Sequence, residues 1–159
     1  MESELHRTRY EHLHSVRESW CSEHPEPIQD QSGVTIEING ADVEDVPGFY
    51  LALGQAVNGA SGYYGANLDS LSDCLRGGFG VAPPFTLIIR NAAAVKRAFS
   101  PTNVLMWEIE MMENQGQLDE DETQRRLAEL RSQTVSNRDY LREVLEAFES
   151  SHVHVEFLD

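Results

Sequence analysis

Residues 84–91, PFTLIIRN, are nearly continuous in apolar side chains within an otherwise polar chain. A run this short, without alternation, suits a strand covered on both faces, at the centre of a sheet. Two other segments alternate instead. VTIEING, 34–40, sets Val34, Ile36 and Ile38 against Thr35 and Glu37 and closes on an Asn39-Gly40 turn, which predicts a half-buried strand. VHVEFL, 153–158, alternates as an edge strand. Helical patterns lie between them. VEDVPGFYLALGQAVN reads as a helix from about Pro47, with acids ahead of its start and Tyr50, Leu51, Leu53 and Val57 as apolar surface. Gly48 and Gly54 weaken it. AAAVKRAF predicts a short helix. NRDYLREVLEAFESS, 137–151, predicts a longer one, with Tyr140, Leu141, Val144, Leu145 and Phe148 at helical spacing. Strands separated by helices imply right-handed crossovers, hence an α/β fold with a three-stranded parallel sheet faced by helices.

The 159 residues fit one domain with extensions, and 40% hydrophobic content is enough for a packed core. Residues 1–22 predict an amphipathic helix with Leu5, Leu13, Val16 and Trp20 near one face. SEHPEPIQDQSG, 22–33, has the composition of a linker. The organisation expected is therefore an appendage over 1–33 and a domain over 34–159. Within that domain 100–136 reads as an inserted helical hairpin. It comprises PTNVLMWEIEMMENQ, a break at Gly116-Gln117, and LDEDETQRRLAELRSQ; residues 101–133 carry eight acids against three arginines.

The formal net charge is −15, from 27 acids and 12 bases. Such a charge argues against DNA, RNA or an anionic membrane as ligand and suits a basic partner, although solubility alone also accounts for it. Cys21 and Cys74 make no disulfide framework. No basic-then-apolar leader opens the chain and no apolar run approaches a membrane span, so a soluble, cytoplasmic protein is expected.

GYYGANLDSLSDCLRGGFG, 62–80, carries the most chemistry. With Asn67 as cap, a helix from Leu68 to about Arg76 puts Leu68, Leu71 and Leu75 on one face, with Cys74 beside them. Asp69, Ser72, Asp73 and Arg76 fall on another. Like charges four residues apart cost a helix only about 0.2–0.5 kcal/mol. By spacing alone a solvated face is the commoner reading of such a pair. Tyr63 and Tyr64, between Gly62 and Gly65, shift the weighting. Tyrosine is a preferred interface residue, though at least one of the two is expected to fill the core.

YYGANLDSLSDCL, Tyr63 to Leu75, closely resembles the binding segment of the barstar family of ribonuclease inhibitors. VTIEING, PFTLIIRN and the C-terminal helix with VHVEFLD resemble its strands and last helix, so the likeness covers about 34–99 and 137–159. The resemblance implies the three-stranded parallel sheet and a function without catalysis or cofactor: occlusion of the active site of a basic ribonuclease inside the producing cell, as an immunity protein, by a monomer or in a 1:1 complex. Carried over by position, Tyr63 would cover the enzyme's cleft, and Gly65, Asn67 and Leu68 would line the contact. Asp69 would meet basic groups. Asp73 would be the central anchor, its carboxylate standing in for a substrate phosphate. Glu146 falls at a further acidic contact. Ser72 stands where the family has tryptophan. Arg76 puts a positive charge beside the anchor, and GGFG replaces bulkier residues at the helix end; these departures bear on which target is bound.

Two other classes stay open. An acid pair among Asp69, Asp73 and Glu146 could serve acid–base catalysis if held in a cleft, but a pair four apart on a helix points outward. A barstar-fold interaction module with a non-ribonuclease partner is the other. His152 and His154 share one side of the expected strand but lack further ligands at metal-site spacing.

Overall fold

The computed structural model describes residues 2–114 and 120–159, with side chains from Glu4 onward. The break read at Gly116-Gln117 lies outside the described residues. In chain order the elements are α1 (Glu2–Glu23), β1 (Thr35–Asn39), α2 (Val46–Asn58), α3 (Leu68–Leu75), β2 (Phe85–Arg90), α4 (Ala92–Ala98), α5 (Pro101–Glu113), α6 (Glu120–Arg131), α7 (Tyr140–Ser150) and β3 (Val153–Phe157).

β2 is the middle strand of a parallel sheet ordered β1-β2-β3. Ile36 pairs with Leu87 and Ile38 with Ile89 on one side, and Phe85 with Val153 on the other. Phe85, Leu87 and Ile89 are buried, with Thr86 and Ile88 half-buried between them. The near-continuous apolar run and the central position are therefore the same fact. β1 alternates exposed and buried side chains along its length.

α2 starts one residue before Pro47. Its cap is Asp45, whose carboxylate accepts from the Gly48 amide at 2.9 Å. The helix keeps two glycines in its run because one has a packing role. A Cβ on Gly54 would lie 2.3 Å from the Gly62 carbonyl oxygen, and one on Gly62 would lie 2.5 Å from the Gly54 carbonyl oxygen. The backbone of the tyrosine loop thus crosses α2 at a distance only glycine permits.

α5 brings Val104, Leu105 and Trp107 into the core. The Trp107 ring stacks between Tyr50 of α2, at 5.6 Å between centroids, and Tyr140 of α7, at 5.9 Å; Tyr10 of α1 meets its edge at 5.5 Å. The Tyr50 and Tyr140 hydroxyls share a 2.7 Å hydrogen bond. Burial raises Tyr50 well above 10 and brings Tyr140 to about 12, so both stay neutral and one hydroxyl donates to the other. α6 lies against α5 with Leu127 as its buried anchor.

α1 packs on α2 and α5. Its buried residues are His6, Tyr10, Leu13 and Val16, with Trp20 half-buried. Leu5, expected on the apolar face, is 53% exposed, and His6 takes the inward position one residue later. Arg9 ties the helix to the α2 cap, donating to Asp45 at 2.6 Å. Residues 24–33, linker-like in composition, run bonded beside the glycine-rich loop after α3. Ile28 and Gln31 amides donate to the Gly78 and Gly80 carbonyls, and the Asp30 carboxylate accepts from both glycine amides. Gly77, Gly78 and Gly80 all have φ near +100°, a loop conformation in which the Gly78 and Gly80 amides both meet that one carboxylate.

The His6 imidazole is 1% exposed and neither ring nitrogen has a hydrogen-bond partner. Burial lowers its pKa below 6.5; Asp45 draws it up and Arg9 pushes it down. Burial likewise lowers His14. The folded chain therefore resists a proton that the unfolded chain accepts near 6.5, and stability falls as the pH drops below that value. Melting wild type and His6→Leu between pH 7.5 and 5 checks this. The variant should lose part of the acid-side decline in melting temperature, and equal declines would show that His6 contributes nothing to it.

Candidate protein-binding face

The site is built on the crossing of α2 and the tyrosine loop. Asn58, at the end of α2, donates to the Tyr63 carbonyl at 2.8 Å and the Phe79 carbonyl at 2.9 Å, clamping both flanks of α3. Tyr63 and Tyr64 are both buried, at 3% and 0% exposure. The Tyr64 hydroxyl donates to the Val81 carbonyl at 2.7 Å, and the Tyr63 ring meets Phe79 edge-on. Burial pushes the Tyr63 phenol up to about 12. Both tyrosines, and not only one of them, fill the core, and the loop is the anchor of α3. Gly65 is buried too, and a Cβ there would lie 3.0 Å from Leu71 Cα. Both residues act by placing the helix, and neither lays a ring or surface open beside it.

α3 starts where the sequence places it. The Asn67 side chain accepts from the Ser70 amide at 2.8 Å, and the Ser70 hydroxyl accepts from the Asn67 amide at 3.0 Å, a reciprocal capping box. Asn67→Ala is expected to lower stability by about 0.5–2 kcal/mol, read by urea unfolding with an unchanged m-value. A negligible change would mean that the tyrosine loop alone fixes the start of α3.

Leu71, Cys74 and Leu75 are buried, and burial pushes the Cys74 thiol up to about 12, so this cysteine is an inert core residue. Asp69, Asp73 and Arg76 are exposed, and Asn67, Leu68 and Ser72 half-exposed. The helix thus presents two carboxylates one turn apart, flanked by small and apolar side chains. Asp73, 63% exposed, is paired on its own helix: Arg76 donates to it at 3.2 Å. α7 packs against α3. Glu146 is exposed on α7, but its ion-pair partner is Arg142, at 3.2 Å on the same helix, and not a residue of α3. Asn67, Leu68 and Asp69 also line a cleft of about 520 Å³ that reaches α1, α5, α6 and α7; Asp73 lies outside it.

His154 lies on β3, where its ring meets Glu156 at 3.1 Å. His152 precedes the strand in a left-handed conformation with φ of +68°, so the two do not form the same-side pair that alternation suggests. Among the described residues no three His, Cys, Asp or Glu side chains gather as a metal site. No helix among them is long and apolar enough to cross a membrane.

Sheet, clamp and helix together define a small α/β protein that displays a short acidic helix on a rigid mount. The model of the family described as Barstar (barnase inhibitor) matches residues 34–129, and the chain belongs to the barstar family. That segment contains β1, α2, the tyrosine loop, α3 and β2, and continues through α5 and most of α6. Comparison with curated proteins finds no match.

Proposed function

We propose that this chain is a cytoplasmic immunity protein that inhibits a basic ribonuclease, binding 1:1 and occluding its active site without any catalytic step of its own. The observation that carries the reading is the exposed Asp69–Asp73 pair on a capped, clamped helix within the segment matched to the barnase-inhibitor family. A ribonuclease must bind phosphate, so its cleft carries arginine, lysine or histidine. Carboxylates at fixed positions accept the same charge-assisted hydrogen bonds that a phosphate would. The net charge of −15 adds long-range attraction to such a cleft and speeds encounter. Asp73 is the anchor in this reading and Asp69 the second acidic contact. Asn67, Leu68, Ser72 and Arg76 form the rim, Tyr63 and Gly65 hold the helix, and Glu146 is a peripheral acid.

Calorimetric titration against small basic microbial ribonucleases tests this, with enzyme activity followed in parallel. Saturable 1:1 binding that abolishes RNA cleavage is the expected result. Binding to none, or binding that leaves cleavage intact, overturns it.

One observation favours a second reading. Arg76 neutralises Asp73 within the helix and would face the partner's cations. An interaction module for a partner with a mixed rather than purely basic surface would tolerate this better. Recovery of a non-nuclease protein through an Asp73-dependent contact would select that reading.

A further inference from the structure

Seven of the arginines have a carboxylate partner: Arg7, Arg9, Arg76, Arg90, Arg131, Arg138 and Arg142. In a chain with 27 acids and 12 bases this is the expected state. Arg17 on α1 and Arg126 on α6 have no ion pair among the described residues, and both line the cleft beside the start of α3. Arg138, held by Glu143, lines it as well. The two acids in the lining differ. Glu108 accepts from the Ser136 hydroxyl, whereas Asp69 belongs to the face of α3. The cleft thus brings together guanidinium groups from α1, α6 and the segment just before α7, two of them without an ion pair among the described residues, in a protein whose overall field is strongly negative. Its rim is continuous with the proposed binding face through Asn67, Leu68 and Asp69.

Resting on the inhibitor reading above, we propose that this cleft is the second half of the binding surface and receives an acidic side chain of the protein that α3 engages. The face is then two-signed. α3 offers carboxylates to the partner's cationic site, and the cleft offers Arg17 and Arg126 to a carboxylate beside it. A guanidinium presents a planar donor fork that matches a carboxylate in two parallel hydrogen bonds. Such a pair adds selectivity, because a basic protein without that acid would meet two unpaired positive charges. Arg17 comes from α1, ahead of the segment matched by the family model, so this half of the surface discriminates among partners that the acidic helix alone would accept.

Long-range and local electrostatics predict opposite signs, which makes the test sharp. Replacing any arginine by glutamate makes the protein more acidic and should favour a basic partner. The experiment titrates a ribonuclease that wild type binds against Arg17→Glu, Arg126→Glu, Arg125→Glu and Asp73→Ala. Arg125 is exposed on α6, outside the cleft lining, and serves as the field control. The expected result is at least tenfold weaker binding for Arg17→Glu and for Arg126→Glu, with Arg125→Glu unchanged or tighter. If all three arginine variants behave like Arg125→Glu while Asp73→Ala still abolishes binding, the cleft proposal falls and the inhibitor reading stands. If Asp73→Ala binds like wild type, α3 is not the acidic half of the surface, and the phosphate-mimic mechanism falls and this inference with it. Arg126 is exposed on its helix, so its variant remains informative should Arg17→Glu disturb the docking of α1.

Discussion

Asp73→Ala is expected to weaken binding of the target ribonuclease by about 2–5 kcal/mol, or roughly 30- to 4,000-fold in affinity. The size follows from burial on binding. In the free protein the carboxylate is 63% exposed and its contact with Arg76 is a surface pair, worth no more than about 1 kcal/mol. In an occluded cleft, truncation strands the enzyme's cations without water or partner. Most of the loss should appear as faster dissociation, because one charge in a protein of −15 barely alters the field that steers encounter. The same substitution should leave folding stability within about 0.5 kcal/mol, since Asp73 caps nothing and is not buried. Arg76→Ala should move the other way and tighten the complex, because it frees the anchor and removes a like charge facing the enzyme. Titration calorimetry with stopped-flow dissociation measures both variants. An Asp73→Ala protein that inhibits like wild type would remove the phosphate-mimic mechanism.

Trp107→Ala should destabilise the fold by about 3–5 kcal/mol, the general cost of deleting a large buried aromatic side chain. For a chain of this size that is a fall of roughly 6–20 °C in melting temperature. Trp107 is 1% exposed and touches rings from α1, α2 and α7, so the void left behind has three walls that cannot all close on it. Thermal and urea unfolding read the effect. A change below about 1 kcal/mol would mean that α5 is a dispensable cover. Tyr63, Asn58 and the capping box hold α3 independently of α5, whereas Trp107 lines the cleft, so any loss of affinity for the ribonuclease measured well below the transition should come from the cleft and not from α3.

The sheet was legible because apolar pattern and burial are directly linked. PFTLIIR is buried along its inward side and paired on both edges, and the alternating segments are the two flanking strands. Asn67 was legible as a cap because its side-chain chemistry acts within three residues. What escaped the sequence depends on contacts distant along the chain. His6 looks like a surface residue until α2 covers it, whereas Leu5 looks like a core residue and faces water. Trp107 sits in a helix of mixed character, and only the facing rings of Tyr50 and Tyr140 make it central. Both tyrosines of the loop are interior because Gly54 and Gly62 let the loop sink against α2, a close approach that no local pattern encodes. Residues 24–33 have linker composition, yet Asp30 finds its amide donors some fifty residues away. For the site, the exposed acids were visible in the helical spacing. The cleft was not, since its lining comes from five helices.

The position of β2 has a consequence for biosynthesis. Its two neighbours arrive from opposite directions along the chain: β1 is made before it, and β3 comes more than sixty residues later. At ordinary translation speeds of about 5–20 residues per second, the nascent chain spends roughly 3–13 s with one side of its most apolar strand unpaired. α7, against which α3 rests, emerges in the same late interval. A ribosome stalled within this stretch would therefore display a sticky sheet edge and a poorly supported α3 together. Under the inhibitor reading, protection would begin only once translation has run through Phe157.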